Sequence, residues 1–335
     1  MPGDLTENPK LAEGGLQTGL DVLSSVLATI RLSGSLQFCF MPTGDWQTDE
    51  KISMVSLADG KPAGLVIFHI VAEGRAWVKM EGRLIELEAG DVVVFPHRSP
   101  HDLGGGDGSM KVNPVDDLPP KPWREVPTMR YGQMSDGARI LCGFLRCEAL
   151  AFTPLKAALP NLIHIRTRGL NDNDWLGAAV RQLIAEVDRP RAGGVSMLER
   201  LTEVMFVEIL RQRILMAESG ATGWLAALAD PALARCIALI HDEPMRDWTV
   251  EELATAAGLS RSTLSARFQE MLDTSPVKYV RDWRLYLAGI ALATTNRPVA
   301  SIAFDAGYGT EAAFSRAFSR YYHTPPAAWR EQARA

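Results

Sequence analysis

Hydrophobic positions along the chain change their period, and each period predicts a different architecture. From about residue 36 to 148 apolar residues come in short β-branched and aromatic runs at 65–72, 75–80, 83–87, 91–95 and 139–147, and each run reads as a strand. Glu73-Gly74, Glu81-Gly82 and Ala89-Gly90 punctuate them as turns. Regular short strands at this spacing predict a small closed barrel or jelly roll. The segment 113–128 holds Pro114, Pro119, Pro120, Pro122 and Pro127 and reads as a loop. The period then lengthens, and 174–187 and 196–215 read as helices. The second opens on a Ser196/Glu199 capping box and gathers Leu198, Leu201, Val204, Met205, Ile209, Leu210 and Ile214 on a broad apolar face. That face suits packing onto the barrel. Residues 219–223 read as a hinge.

Beyond the hinge the pattern is wholly helical and it repeats. Thr249 and Glu252 form a capping box that starts a short helix with Val250, Leu253, Ala254 and Ala257 on one side. Gly258 makes the turn, a second helix starts near Ser260, and Leu259, Leu264 and Phe268 continue the buried side. The same arrangement recurs at 299–308, with Gly307 as the turn and 310–318 as the following helix. One such hairpin is a weak signal, because any small helical pair spaces apolar residues around a glycine. Two in one chain are harder to obtain by chance. Pro276 suits the first turn of a joining helix, with Val277, Val280, Trp283, Leu287, Ile290 and Ala291 as its apolar stripe. A helix of about 18 residues spans roughly 27 Å, which sets the separation of the two hairpins.

Further residues carry a family resemblance. Ala254, Gly258-Leu-Ser260, Arg267-Phe268, Ser275-Pro276, Tyr279, Arg284, Ile302-Ala303, Gly307-Tyr308, Phe314, Arg316, Phe318, Thr324-Pro325 and Trp329-Arg330 together resemble the DNA-binding domain of AraC/XylS-type transcriptional regulators, over about 230–332. The resemblance implies double-stranded DNA as partner, read by two helices in successive major grooves. Base-edge candidates lie on the solvent side at the start of each reading helix: Ser262, Thr263, Ser265 and Ala266 in the first, Glu311, Ala312, Ser315 and Arg316 in the second. Arg316 matches a family position that contacts bases. Phosphate candidates are Arg261, Arg267, Arg297 and Arg320. The resemblance also implies RNA polymerase as a partner if the chain activates, and leaves a homodimer open.

Charge changes this picture modestly. The whole chain has net charge -5, while the segment from Leu259 onward holds ten basic against six acidic residues. At 335 residues, 47% hydrophobic and 22% charged, the composition is that of an ordinary globular protein with room for two domains and a connector. No apolar run reaches the length that crosses a bilayer, and the N-terminus carries no secretory pattern, so a cytoplasmic location with reduced thiols is expected.

Gly90-Asp91, Pro96 and His101 reproduce the spacing of the second motif of cupins, so the barrel resembles the cupin sensor half of such regulators over about 60–105. In metal-binding cupins the residue matching His101 is a ligand. The first motif should fall at 60–74, where His69 stands alone and Glu73 is the one match to its acid. The missing second histidine counts against a metal-dependent cupin enzyme, which is the alternative reading. His69, His101 and Cys142 form the first candidate set for a metal or thiol sensing site, with a zinc ion as the implied cofactor; His97 and Cys147 are further candidates. Residues five apart on a straight strand face opposite ways, so Cys142 and Cys147 both face inward only if the strand carries a bulge. The alternative is structural: a hydrogen-bonded core His69, His97 and His101 at a turn, and cysteines as small buried apolar groups.

The expectation is an α+β protein: a cupin-like β-barrel or jelly roll over 20–165, a helical connector with a possible dimer surface over 170–220, and an all-α domain with two helix-turn-helix motifs over 228–332. The expected function is that of a sequence-specific transcription regulator rather than an enzyme, with a small molecule, a metal or thiol oxidation as the signal expected at the barrel.

Overall fold

The computed structural model describes residues 22–24, 32–48, 64–132, 137–147, 152–167, 175–215 and 222–334. By internal contacts the chain divides into two compact units. One comprises Ile30–Leu150 and Leu159–Gln212, the other Met1–Thr29, Ala151–Ala158 and Arg213–Ala335.

The first unit is a two-sheet β structure. One sheet is ordered β11-β6-β3-β10-β1-β9, from Ile163–Ile165, Val92–Phe95, Leu65–Glu73, Arg139–Cys147, Leu32–Pro42 and Thr128–Tyr131. The other is ordered β5-β4-β7-β2-β8, from Arg83–Glu88, Arg75–Met80, Asp102–Gly105, Trp46–Thr48 and Met110–Val112. The two sheets share a core: Phe38, Phe40, Val71, Phe95 and Ile140 from the first meet Trp46, Val78, Leu87 and Leu103 from the second. Strands β3 and β10 pair antiparallel at the middle of the larger sheet and are buried on both faces, which is why they read as near-continuous apolar runs. All five predicted strands are present. The eleven-residue β1 was not anticipated, and β2, β7, β8, β9 and β11, also missed, are three or four residues long, too short for alternation to register.

Helix α1 (Thr153–Ala157) falls between β10 and β11, and α2 (Trp175–Asp188) and α3 (Gly194–Leu215) follow the strands. The anticipated capping box at Ser196 is not the helix start, because α3 begins at Gly194 and leaves Ser196 inside the first turn. Gly193, at φ 80, bends the chain into the helix and its carbonyl accepts the amide of Met197 at 3.0 Å. Leu198, Met205, Ile209 and Leu210 are buried while Val204 is exposed. A Cβ at Gly34 would lie 2.6 Å from Thr202 Cβ, so a glycine in β1 is what lets α3 approach the sheet.

The second unit is built from α4 (Trp224–Ala229), α5 (Pro231–Asp242), α6 (Val250–Ala257), α7 (Arg261–Leu272), α8 (Pro276–Thr294), α9 (Val299–Asp305), α10 (Glu311–Tyr322) and α11 (Pro326–Arg334). The joining helix α8 is capped by Ser275, whose hydroxyl accepts the amide of Lys278, with Pro276 in its first turn. Its anticipated stripe needs correction. Val277 is 59% exposed, and the buried residues are Tyr279, Val280, Trp283, Leu285, Tyr286, Ala288, Gly289 and Leu292. The helix serves two cores. Tyr279 meets Phe268 of α7, whereas Leu285, Ala288 and Leu292 join Ile302, Phe314 and Phe318 of the last helices, so burial spreads around the helix. Among the described residues no helix is long and apolar enough to cross a membrane. The hinge expected at 219–223 falls largely outside the described residues.

Candidate functional site

The two helix-turn-helix units are closed by the same backbone chemistry. Thr249 Oγ1 accepts the Glu252 amide at 3.2 Å and the Glu252 carboxylate accepts the Thr249 amide at 2.9 Å, completing the capping box that starts α6. At its end Gly258 adopts φ 69, the Gly258 amide donates to Thr255 O at 3.1 Å and the Leu259 amide to Ala254 O at 2.9 Å. After α9 the bonds recur: Gly307 at φ 82 donates to Phe304 O at 2.9 Å and Tyr308 to Ala303 O at 3.0 Å. A left-handed residue followed by a six-to-one bond satisfies the orphan carbonyls of a helix end and points the chain into the next helix.

That next helix is capped in each unit by a hydroxyl. Ser260 accepts the Thr263 amide at 3.2 Å, and Thr310 accepts the Ala313 amide at 3.2 Å. Behind the helices Leu264, Phe268, Phe314 and Phe318 are fully buried. In front, Ser262, Thr263, Ser265 and Ala266 on α7, and Glu311, Ala312 and Arg316 on α10, are exposed; Ser315 is half-buried. Burial on one side and solvent on the other leaves each helix rigid with a free polar front.

The arginines divide. Arg261 pairs with Glu251 at 2.6 Å, Arg267 with Asp230 at 3.0 Å, and Arg297 with Asp305 and Ser301. Asp230 also caps α5 by accepting the amides of Ala232 and Leu233, so Arg267 braces α7 against that cap. Arg320 lies on the exposed part of α10 with Arg316, outside these pairs. Spacing within one helix would not reveal the acidic partners, because the pairs cross turns. Arg284 and Arg330 act on backbone: Arg284 Nε donates to Pro244 O at 2.7 Å and Arg330 Nη2 to Arg297 O at 2.5 Å.

In the β unit His69, His101 and Cys142 come together. His69 on β3 faces Cys142 in direct register on β10, with His69 Nδ1 2.9 Å from Cys142 Sγ and His69 Nε2 2.9 Å from His101 Nε2. His101 Nδ1 lies 2.8 Å from the carbonyl of Ser99. A carbonyl can only accept, so His101 Nδ1 donates and, in the neutral ring, its Nε2 accepts. His69 Nε2 therefore donates, His69 Nδ1 accepts, and the Cys142 thiol donates. Burial supports the neutral assignment: it pushes His101 down to about 4, holds His69 well below its ordinary value with His101 adding to the effect, and raises the Cys142 thiol. His101 also stacks on Phe95 at 3.5 Å.

Both nitrogens of His69 are engaged in this hydrogen-bonded line. Among the described residues no group of three or more His, Cys, Asp or Glu could hold a metal ion. His97 stands apart, with Nε2 2.8 Å from Leu159 O. Cys147, buried at the end of β10, takes no part in the line. Asp91 of the cupin-like motif is structural: Oδ2 accepts the Glu88 amide at 3.2 Å and lies 3.0 Å from His164 Nε2. Separately, an open groove of about 460 Å³ is lined by Trp46, Glu73, Arg75 and several glycines.

Comparison with known proteins agrees with both halves. Residues 21–214 match the Cupin family and residues 253–332 the helix-turn-helix domain family. A protein of Streptomyces lividans described as an AraC-like transcription regulator is 31% identical over 325 residues, covering 93% of this chain and 98% of its own length. The HTH-type transcriptional regulator AlkR of Acinetobacter baylyi is 28% identical over 316 residues, covering 93% of this chain and all of its own. MtrA of Neisseria gonorrhoeae, another HTH-type transcriptional regulator, is 26% identical over 318 residues, covering 93% of this chain and 99% of its own.

Proposed function

Because the chain belongs to the AraC-like transcription regulators, with a cupin region ahead of a helix-turn-helix DNA-binding domain, we propose that α7 and α10 enter successive major grooves of one duplex under control of a ligand bound by the barrel. The observation that carries this is the repeated helix, left-handed glycine and hydroxyl-capped helix, which leaves two rigid helices with free polar fronts. Base edges are read by Ser262, Thr263, Ser265 and Ala266 on α7 and by Glu311, Ala312, Ser315 and Arg316 on α10. Small side chains on α7 contribute more to positioning than to base choice. Arg316, whose planar fork matches O6 and N7 of guanine, carries the strongest preference.

Arg320 contacts phosphate as it stands. Arg261 and Arg297 reach phosphate by exchanging an exposed ion pair for one with the backbone, a small cost for solvent-screened pairs. Arg267 does so only by abandoning the Asp230 cap. For the signal, the buried protonated thiol of Cys142 is a poor nucleophile, which favours a bound ligand over an oxidant.

Selection of duplexes from a random pool by the full chain, followed by titration against salt, tests the reading. Arg316→Ala should relax preference at one base pair and cost about 1–3 kcal/mol there. Arg320→Ala should weaken binding to all duplexes alike and reduce the slope of log K against log salt by about 0.9. A chain that enriches no duplex, or an Arg316→Ala variant with an unchanged preference profile, overturns it.

A further inference from the structure

Between β10 and β11 the chain leaves the sheet that contains both strands, and by its contacts Ala151–Ala158 belongs with the helices of the DNA-binding unit. Phe152 is fully buried there. Its ring stands edge-on to Trp283 at 5.1 Å, Trp224 at 5.8 Å, Tyr279 at 5.9 Å and His241 at 6.2 Å, and is tilted against Tyr286 at 5.4 Å. Five aromatic walls around one ring make a socket rather than a chance contact.

The socket is fixed by its own hydrogen bonds. Trp224 Nε1 donates to the Tyr279 hydroxyl at 2.7 Å, which lies 2.9 Å from His241 Nε2. The phenol oxygen accepts from the indole. His241 stacks flat on Trp283 at 3.8 Å. Two routes lead on to the first reading helix. Tyr279 is edge-on to Phe268, the buried ring on the back of α7, at 5.9 Å. At the other end of the segment a Cβ on Gly223 would lie 3.3 Å from Ala158 Cβ, and the Gly223 amide donates to Met271 O at 2.7 Å in the last turn of α7.

The flanks of the segment are held elsewhere. Cys147, which ends β10, donates its amide to Gly64 O at 2.7 Å, and Leu159, the next residue after the segment, is the one whose carbonyl meets His97. The chain therefore leaves the strand that carries Cys142, plugs an aromatic socket behind a reading helix, and returns to the barrel.

We propose that Phe152–Ala158 is a tether whose plug, Phe152, couples the barrel to the first reading helix: seated, it sets the posture of α7, and the sensed signal acts by shifting the seated population. This rests on the regulator reading above. A buried ring in a close-packed socket is either seated or withdrawn, which supplies the two discrete states that coupling needs.

The test is hydrogen exchange on the full chain with and without the duplex it selects. By reciprocity the duplex should change exchange in β10 and β11 by about fivefold or more, the low end of usual couplings. Phe152→Leu, which keeps an apolar plug, should retain most of that change. Phe152→Ala should bind the duplex and lose it. The tether is overturned if the wild type binds duplex with no change in β10 and β11, or if Phe152→Ala keeps the full response. A chain that selects no duplex sinks the regulator reading instead. The tether is then judged on the free chain, where Phe152→Ala must speed exchange in β10 along with α4 and α5, and unchanged exchange in β10 refutes it.

Discussion

The carbonyl of Ser99 sets the proton positions of His101, His69 and Cys142 in turn, because each neutral partner can donate from one side only. The same burial makes these histidines acid-sensitive. His101 and His241 are pushed down to about 4 and about 3, against 6.5 unperturbed, and both causes are burial. Between the unperturbed and the folded value the unfolded chain binds more protons than the folded one, so stability falls as pH drops from about 6.5 toward about 4, by up to about 1.4 kcal/mol per unit for each such histidine. Denaturant melts across this window should show the loss, and His101→Asn should flatten it; an unchanged slope in the variant would remove His101 from the account. The grouping of His69, His101 and Cys142 was legible in part, since a cupin-like spacing and strand alternation suggest inward-facing positions. Whether His97, in the same loop as His101, joined them depended on the path of that loop, and it turns to Leu159 instead.

At the scale of elements, caps and glycines were the most legible features because they depend on local backbone chemistry. Thr249, Gly258, Ser260, Ser275, Gly307 and Thr310 all sit where short-range rules put them. Gly258 is at φ 69 with open space where a Cβ would go, whereas a Cβ at Gly307 would meet Arg284 Nη1 at 2.7 Å. Gly258→Ala should therefore cost only the left-handed penalty, about 1–2 kcal/mol. Gly307→Ala should cost that or more, depending on how far the arginine moves off the backbone carbonyls it serves. Thermal unfolding of both variants checks the order, and a Gly258→Ala variant as stable as the wild type would contradict the geometry. The apolar stripe of α8 was less legible, since a periodicity rule assumes one buried face and this helix has two cores to serve. Ion pairs that cross turns, such as Arg297 with Asp305, were invisible to spacing for a related reason.

At the scale of the whole molecule, control requires two arrangements of the chain that bind the signal with different affinity. Cys142 is buried and protonated, so peroxide should leave duplex affinity equal in the wild type and in Cys142→Ser; a loss confined to the wild type would make the thiol itself the sensor. Hydrophobic period and local capping by themselves determined the β and α halves, the doubled turn and the solvent-facing fronts of both reading helices, because these follow from interactions a few residues apart. Tertiary structure alone decided which arginines are held by acids, that one histidine of three candidates stays outside the buried line, that α8 is buried on several sides, and that Phe152 plugs an aromatic socket among residues of α4, α5 and α8. Each of these depends on side chains far apart in sequence meeting in space, and no local period encodes such a meeting.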